Sequence, residues 1–415
     1  MNLFQFAIHY RRLILFGFSL TFFSNFGQTF LVALFVPGFL ETFGISNAFF
    51  GTVYSLATLA SAFTLVWVGA KIDHFPLKAY ALMVAGGLAL AALILALSFW
   101  IWILFLGIYG LRLFGQGLST HAAQTTMSRY FITMRGKALS LTSLGITAGE
   151  AILPITMTAV IAAFGWRAGW VGISLFIAVV LPAIIIIALR KDPAHYGEVR
   201  YRDKAANGDI EPGSNWRRSK VLRDPRFFLF LPGVVISPFL ITGLFLYQTQ
   251  LAGYKGWEIE ILASAFIAFA LAKSSFSLIA GTLVDRFTAC RLFPFFLLPL
   301  MSGLLLLSLS DHFLIPFAYL FLAGITEGFG MNVKTAIYAE LYGTANLGAI
   351  RSMMTMFMVI SSAVSPILFG YLIDTGITFG LIIQGALGLM LVTIIPGAFL
   401  FREAKHESTL KRAIY

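Results

Sequence analysis

Five charged residues interrupt otherwise apolar stretches of the chain and are its clearest candidates for chemistry. They are Arg112, Glu150, Lys273, Glu327 and Lys334. Inside a bilayer such a charge costs about 2.5–3.5 kcal/mol on insertion scales, so it needs a partner charge, a hydrated cavity, or both. The cations can bind an anionic ligand, and the carboxyl groups can carry protons because burial favours their neutral form. The alternative is a set of internal ion pairs, for example between Glu327 and Lys334.

The composition places these charges in a membrane. Of the 415 residues, 59% are hydrophobic and 11% charged, and the mean hydropathy is +0.88, whereas soluble domains carry about 25% charged residues. A spanning helix needs about 20 mostly apolar residues, so we predict an all-α membrane protein with twelve transmembrane helices. The predicted spans are about 13–38, 46–70, 79–99, 101–127, 138–163, 168–189, 226–250, 259–282, 292–310, 313–338, 349–372 and 379–400.

Lysine and arginine are distributed very unevenly over the predicted loops. Of the 29 such residues, 24 fall on the side that holds both termini, two (Arg167 and Lys255) on the other, and three inside helices. This bias predicts a multi-pass protein of the cell (inner or plasma) membrane with both termini in the cytoplasm. We expect no cleavable signal peptide, because the first apolar run is long enough to span the bilayer. The net charge of +11 therefore requires no nucleic-acid partner.

A polar segment and a repeat divide the chain into halves. We predict an N-terminal six-helix bundle (1–189), a cytoplasmic linker (190–225), and a C-terminal six-helix bundle with a cytoplasmic tail (226–415). Residues recur at an offset of 212: Gly69 and Gly281, Asp73 and Asp285, Tyr130 and Tyr342, Gly136 and Gly348, Ser140 and Ser352, Pro154 and Pro366. Parallel six-helix repeats around a midplane site characterise one large class of transporters, so the two bundles are expected to be pseudo-symmetric. The buried charges do not recur at this offset.

Three segments resemble signatures of the major facilitator superfamily. GAKIDHFPLK (69–78) and GTLVDRFTACR (281–291) are similar to its G-x-x-x-D-R-x-G-R-K loop, and YGLRLFGQG (109–117), which contains Arg112, is similar to its helix-4 signature. The resemblance implies the major facilitator fold and transport by alternating access. We expect conformational roles for the loop residues, and for two prolines that allow helices to bend. These residues are Gly69, Asp73, Gly281, Asp285, Arg286, Pro154 and Pro366.

A longer segment resembles one branch of that superfamily. SRYFITMRGKALSLTSLGITAGEAILP (128–154) is similar to the loop and helix-5 element of monocarboxylate transporters and oxalate/formate antiporters. That group tends to carry a cation in helix 8, which Lys273 matches in kind. Independently, the three buried cations and two buried carboxyl groups leave the interior at about +1, an excess that a small carboxylate would neutralise.

Polar side chains near the charges extend the predicted binding site. Asn25 and Gln28 are spaced to share one face of helix 1, and Tyr247 and Gln248 are candidates for an extracellular gate. The predicted substrate-binding residues are Asn25, Gln28, Arg112, Gln116, Tyr247, Gln248, Lys273, Ser277 and Lys334. For Asn25 and Gln28, hydrogen bonding between helices is an equal alternative.

These features predict a secondary active transporter, not an enzyme, that moves a small organic anion in symport with protons carried by Glu150 and Glu327. Proton-driven efflux of an amphipathic drug-like or siderophore-like compound is the alternative, which the 15% aromatic share would suit, and a non-transporting membrane sensor is a third. No phosphate-binding loop or hydrolase motif occurs, and the six histidines lack metal-ligand spacing, so we expect no metal and no cofactor. The expected partners are a small anionic molecule, protons and lipid, with the chain acting as a monomer.

Overall fold

The computed structural model of the protein describes residues 3–131, 134–190, 216–343 and 346–395. The chain forms two compact units, Met1–Asn207 and Gly208–Tyr415. Within the described ranges every regular element is a helix and no β-strand occurs. The part 191–215 of the predicted linker, and the predicted tail from 396 to 415, lie outside the described residues, so the domain boundaries of the sequence analysis remain a prediction.

The first unit contains six long apolar helices, which we number α1 to α6. A short helix, Leu3–His9, precedes them. The bounds of the six long helices are Arg11–Gly27 and Thr29–Phe43 for the two parts of α1, Asn47–Ala70 for α2, Leu77–Ala96 for α3, Ile101–Tyr130 for α4, and Arg135–Ala188 for α5 and α6 together. Gly165 separates α5 from α6, because its φ of 77° is a conformation that glycine adopts readily and other residues rarely do.

The second unit contains a further six long helices, α7 to α12. Their bounds are Pro225–Leu246 for α7, Ile259–Phe287 for α8, Ala289–Leu309 for α9, Ile315–Tyr342 for α10, Leu347–Asp374 for α11 and Phe379–Ile395 for α12. Two short helices, Arg218–Val221 and Gln248–Lys255, lie on either side of α7 in the sequence.

Each predicted span coincides with a helix in the described ranges. Eight helices are individually long and apolar enough to cross a bilayer, and the bent α1 makes a ninth. Arg135–Ala188 is counted once there, although its break at Gly165 makes it two of the predicted spans. The more polar α10 and the shorter α12 complete the set. The prediction of an all-helical membrane protein is confirmed.

Glycines bring two pairs of helices into close contact, one pair in each unit. In the first unit, a Cβ atom at Gly149 of α5 would collide with the side chain of Asn25 on α1. In the second unit, a Cβ atom at Gly328 of α10 would collide with the backbone of Lys273 on α8. Small residues allow such backbone approach in membranes, where packing takes over from the hydrophobic effect. These contacts fix the helices that carry the buried charges.

Candidate functional site

A break in α1 creates the polar centre of the first unit. The helix tightens into a 3₁₀ turn at Asn25–Gly27, and Gln28 is extended, with φ −83° and ψ 150°. Asn and Gly are poor helix formers, which is consistent with a break at this point of the sequence. The two parts of α1 meet at an angle of 45°. A broken helix frees backbone groups, and at membrane depth these groups must find other partners.

Arg112 supplies a partner for the broken helix. It lies on a π-helical segment of α4, Leu111–Ser119, and is only 6% exposed. Its Nη1 donates to the carbonyl oxygen of Gly27 at 3.3 Å and to Thr29 Oγ1 at 3.4 Å. Its guanidinium carbon lies 5.2 Å from the centroid of the Tyr54 ring. π-Helical turns frequently mark functional sites. Arg112 is the one charged residue of Leu111–Ser119.

The charge of Arg112 has no carboxylate partner in the part of the chain that the structure describes. Both acceptors of Nη1 are uncharged, and Nε is buried without an acceptor. A buried charge without a counter-ion is costly, so this guanidinium can still gain from binding an anion. Its planar fork of donors matches the two oxygens of a carboxylate.

The contacts of Asn25 bear on its two predicted roles, substrate binding and hydrogen bonding between helices. The residue is 0% exposed, and its Nδ2 donates to the carbonyl oxygens of Phe22 at 2.9 Å and of Gly145 on α5 at 3.4 Å. This placement favours the alternative that Asn25 joins two helices. Its Oδ1 has no hydrogen-bond partner among the described residues.

The other predicted residues of the first unit differ in exposure. Gln28 lies at the break in α1 and Gln116 in the π-helical segment, and both are half-buried. Glu150 follows Gly149 on α5 and is only 4% exposed. Pro154 lies within α5 as predicted, and Thr158 Oγ1 donates to its carbonyl oxygen at 2.8 Å.

Glu327 is the centre of a polar contact in the second unit. Its Oε1 accepts a hydrogen bond from Ser237 Oγ of α7. Ser237 is fully buried and precedes Pro238, one of two prolines inside α7. Glu327 itself is half-buried. The contact therefore joins α7 and α10 through two side chains, one of which can exchange a proton.

Lys273 lies on α8 where α10 packs most tightly against that helix. The residue is half-buried, and its Nζ is 5.4 Å from the centroid of the Phe269 ring. One turn further along α8, Ser277 contacts α10, because Asn332 Nδ2 donates to the Ser277 carbonyl at 2.9 Å and to its Oγ at 3.2 Å. Ser277 thus takes part in helix packing beside Lys273.

Lys334 does not form the predicted alternative ion pair with Glu327. No ion pair joins these two residues, both of which the structure describes. Lys334 is half-buried, and its Nζ lies 5.7 Å from the centroid of the Phe296 ring. The helix-10 pair is therefore not realised, and each charge meets a different environment.

Tyr247 and Gln248, the candidate gate, are both buried at the end of α7. Tyr247 is 0% exposed and its hydroxyl donates to the carbonyl oxygen of Pro366 on α11 at 2.8 Å. Pro366 lies inside α11, and the tyrosine thereby satisfies one carbonyl beside the proline. Gln248 is 3% exposed. This pair ties α7 to the proline-containing turn of α11.

The loop after α2 is held by a residue that the sequence analysis missed. Asp73 forms an ion pair with Arg129 at the end of α4, and Arg129 Nη1 also donates to the carbonyl oxygen of Ile72 at 3.2 Å. His121 Nε2 lies 3.2 Å from the carbonyl oxygen of Gly69. A carboxylate in the loop should have suggested a search for a cation at a neighbouring helix end.

The corresponding loop of the second unit is braced differently. Glu340 of α10 accepts hydrogen bonds from the backbone N–H groups of Ala289 at 2.6 Å and Cys290 at 3.0 Å, at the start of α9. Gly281, Asp285 and Arg286 lie within α8. The sequence analysis missed Glu340 as well, because neither its spacing nor the repeat marks it.

Metal chemistry finds no support in the described ranges. They contain no group of three or more His, Cys, Asp or Glu side chains that could hold a metal ion. The buried polar centres instead offer a guanidinium, two ammonium groups and carboxyl groups within helices. In either unit the cations can bind an anionic group, and the carboxyl groups can exchange protons.

Solved structures with the same fold are transporters. A bacterial homolog of the human lysosomal transporter Spinster, in an inward-facing and unoccupied conformation, aligns with a TM-score of 0.70 at 15% identity over 95% of this chain and 97% of that chain. A mutant of the nucleoside transporter NupG aligns with a TM-score of 0.71 at 13% identity over 95% of this chain and 100% of that chain. At these identities the likeness shows the fold alone.

The sequence assigns the chain to a family within that class. It matches the Major Facilitator Superfamily over residues 17–267 and 249–414, nearly the whole chain. The protein belongs to this superfamily, and the resemblance of its signature segments is confirmed. No curated protein matches the sequence significantly.

Proposed function

We propose that this transporter carries a small organic anion together with protons. The observation that supports the anion most strongly is Arg112, a buried guanidinium whose hydrogen bonds go to uncharged acceptors. A small carboxylate would supply the counter-charge and engage the planar donor fork with both oxygens. Segment 128–154 resembles the monocarboxylate-transporter branch, and transport of a monocarboxylate would fit this chemistry.

Lys334 is a second candidate contact for the anion. Its ammonium group lies near the Phe296 ring, and an aromatic ring stabilises an ammonium by only about 0.5–1 kcal/mol at exposed sites. A carboxylate would be the stronger partner. Lys273 remains a candidate contact because of its position on α8. The other candidate contacts are Gln28, Gln116 and Ser277. Helix packing accounts better for Asn25, Tyr247 and Gln248.

We assign the coupling proton to Glu327, with Glu150 as the second candidate. Glu327 is half-buried and bonded to the hydroxyl of Ser237, which can donate to the carboxylate and accept from the carboxylic acid. Both protonation states therefore keep one hydrogen bond. A proton can then be taken up and released without breaking the contact between α7 and α10.

The alternating-access cycle places conformational roles outside these centres. We infer that the Asp73–Arg129 ion pair and the Glu340 brace hold the loops after α2 and α8 in one state. The prolines of α5 and α11 allow bending. The charge bias favours a cytoplasmic position for both termini, and we propose a monomer in the inner or plasma membrane.

Proton-driven efflux of an amphipathic compound is the second candidate. Its support is the aromatic ring that lies near each of Arg112, Lys273 and Lys334. Efflux would depend on the carboxyl groups and would tolerate the loss of the buried cations. Anion transport would not tolerate the loss of those cations.

Ligand-induced stabilisation tests the assignment of Arg112. The purified protein is heated with acetate, lactate, oxalate or succinate, since a ligand that binds only the native state raises the unfolding temperature. We expect at least one carboxylate to stabilise the wild type and to lose this effect in Arg112→Gln. Arg167→Gln is the matched control, because Arg167 Nη1 also donates to uncharged acceptors, the backbone carbonyls of Ala96 at 3.0 Å and Ser98 at 2.7 Å. Equal stabilisation of Arg112→Gln and wild type would contradict the proposal.

A further inference from the structure

A basic turn precedes the first membrane span of the second unit. Its backbone hydrogen bonds are of the 3₁₀ type, from Lys220 N to Arg217 O at 2.9 Å and from Arg223 N to Lys220 O at 3.1 Å, and of the α-helical type, from Val221 N to Arg217 O at 3.0 Å. In both kinds of turn, side chains three residues apart lie on the same side. Arg217, Lys220 and Arg223 therefore line one edge, and all three are exposed. We call these three residues the basic edge.

The opposite side of the turn is anchored to the unit. Val221 is fully buried, and Asp224 is 8% exposed. Asp224 Oδ1 accepts from the backbone N–H of Arg226 at 3.0 Å, and its Oδ2 accepts from Arg226 Nε at 3.1 Å. The Trp216 ring packs against the ring of Tyr342 on α10, with centroids 5.1 Å apart. The basic edge is thus held in place by the fold.

The basic edge has no acidic partner among the residues that the structure describes. Asp224, the nearest carboxylate in the sequence, is paired with Arg226. Arg217 and Arg223 form no ion pair, and Lys220 contacts only an aromatic ring, with its Nζ 4.6 Å from the centroid of Trp216. Three cations in one row therefore lack a counter-charge from the described part of the chain.

The surroundings of the basic edge are apolar and adjoin the membrane span. Leu222 lies between the cations and is 42% exposed, and Phe228 in the first turns of α7 is 59% exposed. The α7 span begins at Pro225. A surface that joins a row of cations to exposed Leu and Phe side chains at the end of a span fits the boundary between headgroups and hydrocarbon. It does not fit a polar partner in free solution.

We propose that the basic edge binds the phosphate headgroup of an anionic phospholipid. The phosphodiester would contact the cations while the acyl chains lie along Leu222 and Phe228. Juxtamembrane clusters of Lys and Arg attract anionic lipids through just this combination of charge and position. The site is separate from the buried charges, and its existence does not depend on which solute the transporter carries.

Site-specific crosslinking tests the proposal. The full chain in detergent micelles is mixed with dilute photoactivatable phosphatidylglycerol or phosphatidylcholine, and crosslinks to 216–228 are mapped by peptide mass spectrometry. We expect phosphatidylglycerol to label this segment preferentially. The triple variant Arg217→Gln, Lys220→Gln, Arg223→Gln should weaken apparent binding about a hundredfold, given the contribution of each cation near a lipid surface.

A matched variant controls for net charge. Arg11→Gln, Lys71→Gln, Lys78→Gln removes the same number of exposed cations from the first unit, and it should label like the wild type. Thermal unfolding in phosphatidylcholine micelles checks that both variants are folded. Equal labelling by the two lipids, or undiminished labelling of the first triple variant, would overturn the proposal. Protection of the segment by an oligonucleotide but not by unlabelled phosphatidylglycerol would overturn it in favour of a nucleic-acid surface.

Discussion

The polar centres of the two units hold their charges by different means. Arg112 in the first unit is bonded to the carbonyl of Gly27, which the break in α1 makes available. Glu327 in the second unit is bonded to a hydroxyl on another helix. The guanidinium of Arg112 is therefore held by a backbone carbonyl, whereas the carboxyl group of Glu327 is held by the side chain of Ser237. This difference suits Arg112 to a fixed binding role and Glu327 to proton exchange.

The comparison also shows what the repeat preserves. Both units use glycines to bring a charge-bearing helix against its neighbour, with Gly149 beside Glu150 on α5 and Gly328 beside Glu327 on α10, but these two glycines are not equivalent at the offset of 212. The prolines of α5 and α11 do recur. The buried cations do not. A duplicated framework thus carries different charges in its two halves.

The largest expected effect comes from Glu327→Gln, which removes the exchangeable proton and keeps a side chain able to bond Ser237. A gradient of one pH unit can drive about tenfold accumulation per proton, because 1.36 kcal/mol corresponds to a factor of ten. We expect this accumulation to be lost in proteoliposomes, while exchange of substrate across the membrane continues. Glu150→Gln is the paired variant. Loss of accumulation in Glu150→Gln alone would assign the coupling proton to Glu150 in the first unit instead.

A smaller effect is expected from Gly328→Ala. The added Cβ atom would collide with the backbone of Lys273, and overpacking of this kind costs about 1–3 kcal/mol. Thermal unfolding in detergent measures the loss. Gly388→Ala on α12 is the control, because no atom lies within 4 Å of its added Cβ. Equal stability of the two variants would show that the close approach of α8 and α10 is dispensable.

The smallest effect on stability is expected from Asp73→Asn. Asp73 is 54% exposed and Arg129 28%, and exposed ion pairs contribute about 0–1 kcal/mol. Transport should be affected more than stability if the pair holds one state of the cycle. The rate of substrate exchange is the measurement, with Asp311→Asn, which removes the exposed partner of Lys255, as the matched variant. Unchanged exchange in Asp73→Asn would remove the loop pair from the mechanism.

The helices could be predicted from the sequence, and so could the charges within them. Apolar length alone sets the spans, since a spanning helix must be long and apolar whatever its neighbours are. The environment of each charge could not be predicted in the same way. The bond of Arg112 to Gly27 joins a break in α1 to a π-helical segment of α4, and these two segments are about 85 residues apart in the sequence. The Asn–Phe–Gly sequence at 25–27 was the available signal for the break.

The tertiary contacts of single residues could not be predicted in this way either. Helical spacing placed Asn25 on a polar face, but α5 packs directly onto that face at Gly149 and Gly145. Neither the repeat nor helical spacing marks Arg129 or Glu340, yet each braces a loop through a tertiary contact. Spacing along one helix does not show which neighbour covers a face.

Uptake of labelled carboxylates into proteoliposomes, with and without an imposed pH gradient, tests the central claim most directly. A nucleoside and an amphipathic dye serve as the comparison solutes. The account predicts that at least one small carboxylate accumulates, that the gradient increases its accumulation, and that Arg112→Gln abolishes it. If no carboxylate accumulates while the dye is expelled on energisation, the anion assignment is contradicted and proton-driven efflux takes its place.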